Sequence, residues 1–411
     1  MNKKIWLSLL GLGLIIGIAS YFLLPWGNAP ARNYFAPIGE RSLQEDEIGQ
    51  FNYVLSHYEH LSFTGDEFKG WDTENQLYWR YGIAFGSYGM PSIAMISPEH
   101  ADRATLCMRH MIDKMKSKKV WGDWTEFGLS DDPISEGNIM YKGHLNLMYA
   151  LYQLMSGDER YADEFTWLTE KIVVEMREHH AEGKHEGADC EPGRYFAQCN
   201  SISLLSLKVY DMLYGTQYAE VEGIWTVDFI KAQMTDAQTG FYQKMYQSQM
   251  GFTNPDLSGY TNAWTISFLR QFDMVYNDQL YPQWKQKFVH TVGPYAYVNE
   301  DLEAGPSPLA TNFGMVAAKE FGDVKLWNKF RNVIDRSIYP ATENYHYLYE
   351  GINNPIYNAC LLFAKVHVGW SEILTHDWKG TQRQYQKPEV ADLVWTDILP
   401  QELMLMDDVL E

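Results

Sequence analysis

Segments with a helical spacing of apolar residues follow one another through most of this chain, separated by Gly, Pro and Asp. In the segment 201–214, Leu205, Val209 and Leu213 recur every four residues, and Gly215 is suited to end the helix. About twelve helices are predicted: 44–60, 75–95, 99–116, 136–156, 159–180, 194–214, 217–234, 260–277, 280–298, 308–320, 324–337 and 353–375. This succession favours a large all-α fold, a ring of helical hairpins whose inner helices surround a pocket. The stretch 235–254 lacks helical spacing and is predicted to be a loop or a small β-hairpin.

The composition indicates a single globular domain with an acidic surface. Beyond residue 40 no Ser/Pro/Gly-rich linker or charge block divides the chain, so residues 32–411 are predicted to form one domain. A content of 46% hydrophobic and 15% aromatic residues can form a large core. The formal charge of −20, with no basic run interleaved with aromatics, argues against a nucleic-acid partner.

The first 31 residues form a separate segment. Lys3 and Lys4 precede residues 5–24, an uncharged run of the ~20 residues needed to span a bilayer. Residues 1–31 are therefore predicted to be either a membrane anchor or a signal peptide, with Ala29 and Ala31 as a possible small-residue cleavage site. Both alternatives place the body of the protein in the periplasm or another extracytoplasmic compartment.

A histidine lies on an apolar helix face in the stretch 120–161. Met140, His144 and Leu147 recur at spacings of four and three, which puts them on one side of the predicted helix 136–156. A histidine in this position is more often a satisfied core residue than a catalytic group. The loop carboxylates Asp123 and Glu126 are most simply solvated or helix-capping.

The four cysteines, Cys107, Cys190, Cys199 and Cys360, form no CxxC pair, so a structural zinc site is not expected. The stretch "CEPGRYFAQC" places Cys190 in a loop and Cys199 one to two turns into the following helix, with Pro192 near the first turn. Two thiols here could act as acid and base across a small substrate. Export also permits a disulfide, and inert buried thiols are the third alternative.

Several longer stretches resemble one known family. They are "VWGDW", "NIMYKGHLNLMY", "LYQLMSG", "CEP" followed by "YFAQCNS", "GYTNAWT" and "LLFAKVHVGW". Over about residues 45–375 the chain resembles the linalool dehydratase/isomerase family. The resemblance implies an (α/α)6 barrel, export, a homo-oligomeric ring and cofactor-free removal of water from tertiary allylic alcohols. It also implies isomerisation between tertiary and primary allylic terpene alcohols.

Position by position, the resemblance places the two active-site cysteines of the family on Cys190 and Cys199. It places the active-site histidine on His144 and a pocket-lining tyrosine on Tyr260, and both side chains are expected to orient the hydroxyl or the leaving water. With this resemblance, two free thiols acting as the acid and base become the favoured interpretation of the cysteine pair.

The resemblance also implies the lining of an apolar pocket. Tyr81 corresponds to a pocket tyrosine, and Met140, Phe196 and Trp264 correspond to apolar wall positions. A small alkenol requires such a greasy cavity with few polar groups. The apolar face that bears His144 agrees with that requirement.

The sequence departs from the family near residues 52–68. An active-site Asp and Tyr of the family fall on Leu55 or Ser56 and on Ser62, so both polar groups are lost. After a shift of one residue, His57, Tyr58, Glu59 or His60 could replace them in binding the substrate hydroxyl, and Glu59 is the best acid among the four.

A structural disulfide of the family is missing as a pair, because its positions are Asp66 and Ser117. The loss of both partners together leaves no unpaired cysteine there. It does not argue against the fold.

The function expected is dehydration, with allylic isomerisation, of a small unsaturated alcohol. Neither a cofactor nor a metal is expected, and membrane association through residues 5–24 stays open. One rival is a polysaccharide hydrolase or lyase on the same barrel, with carboxylates drawn from Asp123, Glu126 and Glu191. A second is a membrane-tethered binding protein whose cysteines form a disulfide.

Overall fold

The computed structural model describes residues 30–58, 68, 71, 79–122, 132–135, 137–300, 307–338, 340–343, 345–349, 355–390 and 393–399. Its helices, in chain order, are α1 (Glu45–Tyr58), α2 (Trp79–Ile96), α3 (Ala101–Met115), α4 (Lys118–Trp121), α5 (Ile139–Ser156), α6 (Ala162–Glu182), α7 (Ala197–Tyr214), α8 (Glu222–Gln233), α9 (Gly259–Leu269), α10 (Met274–Phe288), α11 (Pro308–Glu320), α12 (Val324–Ile338), α13 (Pro355–Val366) and α14 (Trp370–Thr375). The predicted succession of helices is confirmed.

Six of these helices form a closed inner ring. In order around the ring, α2, α5, α7, α9, α11 and α13 each pack on the next, and α13 packs back on α2. The inner helix α5 is buried at every position except Ser156, whereas the outer helix α12 buries one face only. Each inner helix follows an outer helix in the chain, so the structure is an α/α toroid, as predicted.

Glycines permit the closest contact in this ring. A Cβ atom on Gly82 of α2 would lie 2.3 Å from Ile356 Cγ2 of α13, and one on Gly86 would lie 2.9 Å from Ala359 Cβ. The first and last inner helices can therefore approach only because these positions lack side chains. The spacing of four residues in "GIAFG" places both glycines on the same face of α2.

The alternation of outer and inner helices gives the barrel two different ends. Because neighbours in the chain run antiparallel, all six inner helices run in the same direction and their N-termini meet at one end. The longer connections, which lead from outer to inner helices, lie at this end, and the turns from inner to outer helices are short. Side chains in the first two turns of the inner helices therefore converge there.

Three small antiparallel sheets lie on these longer connections. Their strands are β1 (Arg194–Tyr195), β2 (Gln243–Gln247), β3 (Phe252–Leu257), β4 (Val289–Val292), β5 (Tyr295–Val298), β6 (Pro340–Glu343) and β7 (His346–Tyr349). The hairpin predicted within 235–254 is confirmed in β2 and β3. The predicted helices 260–277 and 280–298 were wrong in their bounds, because α9 ends at Leu269, α10 begins at Met274, and residues 289–298 form a hairpin.

The membrane anchor or signal peptide at residues 1–31 stays a prediction. Residues 1–29, including the apolar run 5–24, lie outside the described residues. Within the described ranges, no helix is long and apolar enough to cross a membrane. The described part of the chain begins at Pro30, and a short 3₁₀ helix, Ala31–Phe35, follows.

Candidate active site

Aromatic side chains from four inner helices meet at the end of the barrel where those helices begin. His144, Trp264 and Phe313 are each the sixth residue of their helix, and Phe85 is the seventh residue of α2. Similar depths on parallel helices bring these rings to the same level of the barrel. We call Tyr81, Phe85, His144, Trp264 and Phe313 the aromatic cluster.

The rings of this cluster contact one another directly. Trp264 stacks on Phe313 with centroids 4.9 Å apart, and Phe85 meets Trp264 edge-on at 4.8 Å. The His144 ring lies 5.3 Å from Phe85, 5.7 Å from Tyr81 and 5.8 Å from Trp264. Such edge-to-face and stacked pairs fix ring orientation as well as burying apolar area. His144 is thus held in an aromatic environment.

His144 is uncharged at neutral pH. It is 1% exposed, and burial, assisted by the positive charge of Arg80, lowers its pKa to about 3. Its Nδ1 atom lies 2.6 Å from the hydroxyl of Tyr88, while its Nε2 atom is buried without a hydrogen-bond partner in the described structure. A neutral imidazole has one donor and one acceptor nitrogen, so one of these functions is left unused.

Met140 and Tyr260 border the aromatic cluster, to which Tyr81 belongs, as the sequence predicts. The Tyr81 hydroxyl contacts the Met140 sulfur, which confirms that Met140 and His144 share a face of α5. Tyr260 is partly buried, with its ring 5.8 Å from Trp264 and 5.1 Å from Phe313. The structure therefore brings together His144, Tyr81, Met140, Tyr260 and Trp264.

Cys190 and Cys199 are joined in a disulfide, with their Cα atoms 6.3 Å apart. The favoured prediction of two free thiols differs from this state. The loop folds back on itself, because the Cys190 amide donates to the Arg194 carbonyl at 2.8 Å. Cys199 is the third residue of α7, not one to two turns into the helix, since residues 194–195 form β1 and the helix begins only at Ala197. Pro192 accordingly lies in the turn before β1.

The cysteine loop is anchored to the start of the His144 helix. The Ile139 amide, at the first position of α5, donates to the Asp189 carbonyl at 3.0 Å. The Asp189 carboxylate accepts from Ser248 Oγ at 2.7 Å and lies 3.2 Å from His185 Nε2. Although burial alone would raise it, these two neighbours lower the pKa of Asp189 below its ordinary value. The anchored carboxylate fixes the residue that precedes Cys190.

Packing of α5 against α7 then places Cys199 next to the His144 helix. A Cβ on Gly143 would lie 3.2 Å from the Ser203 side chain, which shows how closely the two helices approach. Cys190 is 2% and Cys199 is 6% exposed, so both sulfur-bearing residues are screened from bulk water. The cysteine pair and His144 thus lie on neighbouring elements at the same end of the barrel.

The remaining predicted site residues stand apart from the cluster or outside the described residues. Phe196 is partly buried and is the N-cap residue of α7, between the two cysteines. His57 lies in the last turn of the outer helix α1, with its ring 4.6 Å from that of Tyr53. Burial lowers the pKa of His57 to about 4. Glu59 is not among the described residues.

Sequence reasoning missed three residues that the structure places around His144. Phe85 and Phe313 complete the aromatic cluster, and Tyr88 bonds to the imidazole. Tyr81, Phe85 and Tyr88 recur at spacings of four and three, so their common face of α2 was visible in the sequence. For Phe313 the available signal was its depth in the predicted helix 308–320.

The described residues offer little for a metal ion. No group of three or more His, Cys, Asp or Glu suited to hold one occurs among them. A cavity of about 410 Å³ lies against the cysteine loop, and His179, His185 and Asp189 belong to its lining. The residues of the aromatic cluster do not line this cavity.

Comparisons with known proteins bear on both the family and the fold. A family model described as linalool dehydratase/isomerase matches residues 80–355. A possible member of the GH105 family from Salmonella enterica has a TM-score of 0.51 at 13% identity, over 79% of this chain and 94% of that one. An alpha-amylase from Clostridium perfringens gives 0.47 at 13% identity, over 78% and 97% of the two chains. At these identities the structural likeness concerns the fold alone.

Proposed function

Because the chain belongs to the linalool dehydratase/isomerase family, we propose that it removes water from a small unsaturated tertiary alcohol. Linalool or a related terpenoid alkenol is the substrate class, and allylic isomerisation is a second outcome of the same chemistry. The observation that carries this proposal is the aromatic cluster around a neutral His144, next to two buried cysteines. A small apolar alcohol matches such a site, with few polar groups in an apolar lining.

The reaction needs one acid and one base. Hydroxide is a poor leaving group, so a proton must reach the alcohol oxygen as the C–O bond breaks, and a second proton must leave the adjacent carbon. One thiol supplies the first proton and becomes a thiolate, while the other sulfur, as a thiolate, accepts the second. The products are a diene and water, and no oxidant or reductant is consumed.

The positions of the two sulfurs suggest their roles. Cys199 lies in the first turn of α7, where the helix dipole favours a negative charge, so we assign the thiolate base to Cys199. Cys190 is then the thiol acid. Because the two side chains are close enough to bond, one proton can pass back between them after each turnover.

The aromatic cluster suits a positively charged intermediate. Loss of water from an allylic alcohol develops a cation, and a face of Trp264 or Phe313 that is not covered by the stack between the two rings can stabilise such a charge by about 0.5–2 kcal/mol. Burial of His144 and both cysteines keeps bulk water from capturing that cation. The same cation, recaptured by water at its other end, gives the isomeric alcohol.

The disulfide form cannot carry out this chemistry, because neither sulfur then holds or accepts a proton. The first expected result is therefore that turnover requires a reductant such as dithiothreitol and is lost on reoxidation. Alkylation followed by mass analysis of the intact protein measures the reduced fraction, and turnover should rise in proportion to it. Equal turnover of the oxidised and reduced protein would exclude thiol acid/base catalysis.

Substitution of the cysteines tests the assignment directly. In the reduced protein, Cys190→Ala and Cys199→Ala should each lower diene release by about 10² to 10⁴-fold, the usual contribution of a general acid or base. Gas chromatography with linalool and shorter tertiary alkenols provides the measurement. Cys360→Ala is the matched control, since Cys360 is also a buried free thiol but lies on α13. Unchanged turnover in both active-site variants would contradict the proposal.

The alternative of a polysaccharide hydrolase or lyase gains no support from a described residue. Asp123 and Glu126 are not described, and Glu191 forms an ion pair with Arg194 at 2.8 Å on a surface turn. Turnover that survives loss of both cysteines and fails on loss of these carboxylates would favour it. A purely binding protein would bind alkenols and release no diene.

Export and assembly into a homo-oligomeric ring remain part of the proposal. Residues 1–31 support export. Because an oxidising compartment would favour the inactive disulfide, the exported enzyme would depend on a reductant to keep Cys190 and Cys199 as thiols. Fractionation of the native cells, followed by light scattering of the purified full chain, would test both predictions.

A further inference from the structure

Tyr88 holds the imidazole of His144 from the interior of the barrel. Both residues are buried, at 0% and 1% exposure, and the Tyr88 hydroxyl lies 2.6 Å from His144 Nδ1. In the described structure this is the only hydrogen bond of the Tyr88 hydroxyl. Burial raises the pKa of Tyr88 well above its ordinary value, so the hydroxyl keeps its proton.

The direction of this hydrogen bond decides the tautomer of His144. A buried hydroxyl hydrogen needs an acceptor, and Nδ1 is the acceptor within reach. If Nδ1 carried the proton instead, it would donate to the Tyr88 oxygen and leave the hydroxyl hydrogen buried and unpaired. The favoured arrangement therefore has Tyr88 donating to Nδ1, and the imidazole proton is on Nε2.

Two buried N–H donors are then unused in the same cluster. His144 Nε2 and Trp264 Nε1 both lack a hydrogen-bond partner in the described structure, and the two rings lie 5.8 Å apart. Buried donors without an acceptor cost stability. The indole N–H groups of Trp167, Trp370 and Trp395 are also buried without a partner in the described structure, but the Trp264 indole is the one that lies beside His144 in the aromatic cluster. By contrast, the equally buried indole of Trp284 donates to the Gly259 carbonyl at 2.9 Å.

We propose that Tyr88 is a positioning residue that fixes His144 as the Nε2–H tautomer, and that His144 and Trp264 together bind the hydroxyl oxygen of the alcohol substrate. An alcohol oxygen has two lone pairs and can accept from both donors. The electron pair that the breaking C–O bond leaves on the oxygen then takes up the proton from the cysteine acid, so the water formed still accepts from both donors. The inference rests on the proposed function for the identity of the bound acceptor. It assigns to Trp264 a polar role in addition to its apolar wall.

This assignment excludes His144 as the base of the reaction. Its Nδ1 lone pair is used by Tyr88 and its Nε2 already carries a proton, so proton transfer is left to the cysteines. The two donors also supply a contact to the hydroxyl that the sequence lost with the family's Asp and Tyr at Leu55 or Ser56 and Ser62. Hydrogen bonds aimed at the departing oxygen strengthen as charge develops on it.

Nitrogen-15 NMR of the reduced full-length protein, labelled in its twelve histidines, tests the tautomer without an activity assay. The His144 signals are identified by their loss in His144→Asn. We expect a protonated Nε2 and a bare Nδ1 at neutral pH. In Tyr88→Phe the Nδ1–H form should appear, and kcat should fall by about tenfold, less than the ~10²-fold typical of losing a donor outright. A protonated Nδ1 in the parent protein would overturn the proposal.

Tyr141→Phe is the matched control for Tyr88→Phe. Tyr141 is fully buried on the same helix as His144, and its hydroxyl donates to the Met115 carbonyl at 2.7 Å. Loss of that bond should lower stability to a similar degree but leave the His144 tautomer and kcat unchanged. Equal losses of kcat in both variants would reduce Tyr88 to a structural role.

Binding of tetrahydrolinalool, a saturated tertiary alcohol that cannot form a diene, separates this inference from the proposed function. We expect it to shift the His144 Nε2–H signal in the parent protein and to bind about tenfold more weakly to Trp264→Phe. If the enzyme turned over alkenols but the His144 Nε2–H signal did not shift on addition of tetrahydrolinalool, this inference would be overturned and the proposed function would stand. An Nε2–H signal that responds to the alcohol, in a protein that turns over no alkenol, would support the inference and contradict the proposed function.

Discussion

Two regions of the barrel bury polar groups, and they differ in whether those groups have partners. In the first, which we call the closure cluster, Lys365 pairs with Asp46 at 2.8 Å and Tyr34 donates to the same carboxylate at 2.7 Å. Arg41 pairs with Glu47 at 2.5 Å beside them. In the second, the aromatic cluster, His144 Nε2 and Trp264 Nε1 are buried with no partner in the described structure.

The difference separates a structural from a functional use of buried polarity. The closure cluster joins the N-terminal helix α1 to the last inner helix α13, and each of its charges has a partner of opposite sign. Although burial opposes it, the Lys365 ammonium lowers the pKa of Asp46 below its ordinary value. In the aromatic cluster the two unpartnered nitrogens lower the stability of the free protein, and a bound substrate that hydrogen-bonds to them would offset that loss.

Removal of one charge from the closure cluster should have the largest effect on stability. Asp46→Ala leaves the fully buried Lys365 ammonium without its nearest carboxylate, which we expect to cost about 3–5 kcal/mol of unfolding free energy. Urea denaturation monitored by circular dichroism measures it. Turnover per mole of folded, reduced protein should not change, because neither residue contacts the aromatic cluster.

The double variant Asp46→Leu/Lys365→Met provides the comparison for that loss. Replacing both charges with apolar groups removes the unpaired ammonium, so much of the lost stability should return. A double variant as unstable as Asp46→Ala would mean that packing, and not charge pairing, dominates the closure cluster.

The framework of the barrel was predictable because it repeats a local signal. Helical periodicity depends on residues within one segment, and the predicted bounds of α5, α7 and α11 agree with the structure within a few residues. Residues 289–298 were assigned to a helix in error. Their hairpin is held by contacts distant in sequence, such as the Asn332 side chain donating to the Pro294 carbonyl at 2.9 Å.

The sequence predicted several residues of the site, but it did not predict the hydrogen bonds and the disulfide that join them. The spacing of Met140 and His144 placed both on one face of a helix, and the structure confirms it. The bond between Tyr88 and His144 depends on how deeply α2 and α5 are inserted relative to each other, which no local pattern encodes. The oxidation state of Cys190 and Cys199 depends on loop closure and compartment in the same way.

Acidification should lower the free energy of unfolding, because His144 is held uncharged in the folded protein. Its folded-state pKa of about 3 lies below the ~6.5 of an unfolded histidine, so the unfolded state binds the extra proton between these values. The stabilisation is complete above pH ~6.5 and declines below it, by about 2 kcal/mol at pH ~5 for this residue. Urea unfolding at a series of pH values measures the slope.

A ring-preserving substitution isolates the contribution of His144 to that slope. His144→Phe leaves the Tyr88 hydroxyl unpaired, so its absolute stability should fall at all pH values while its slope becomes shallower by about 1.4 kcal/mol per pH unit. His180→Phe is the control, because His180 is exposed on α6. Identical slopes in the parent and His144→Phe would show that His144 is already protonated at mildly acidic pH.

The smallest effect on stability should come from Trp264→Phe, and Trp284→Phe is its comparison, because the two indoles represent the two uses of a buried donor. Trp264→Phe removes an N–H that has no partner, so the loss of indole packing is partly offset and the net change should be near 1 kcal/mol. Trp284→Phe removes the same atoms but also leaves the Gly259 carbonyl without its donor, and should cost about 1–3 kcal/mol more. Turnover should reverse this order, because only Trp264 belongs to the aromatic cluster. Suppose instead that Trp264→Phe were the less stable variant and retained full turnover. The Trp264 indole would then serve packing alone, and its N–H would have no role in the reaction. The contrast between the closure cluster and the aromatic cluster would be wrong for this residue.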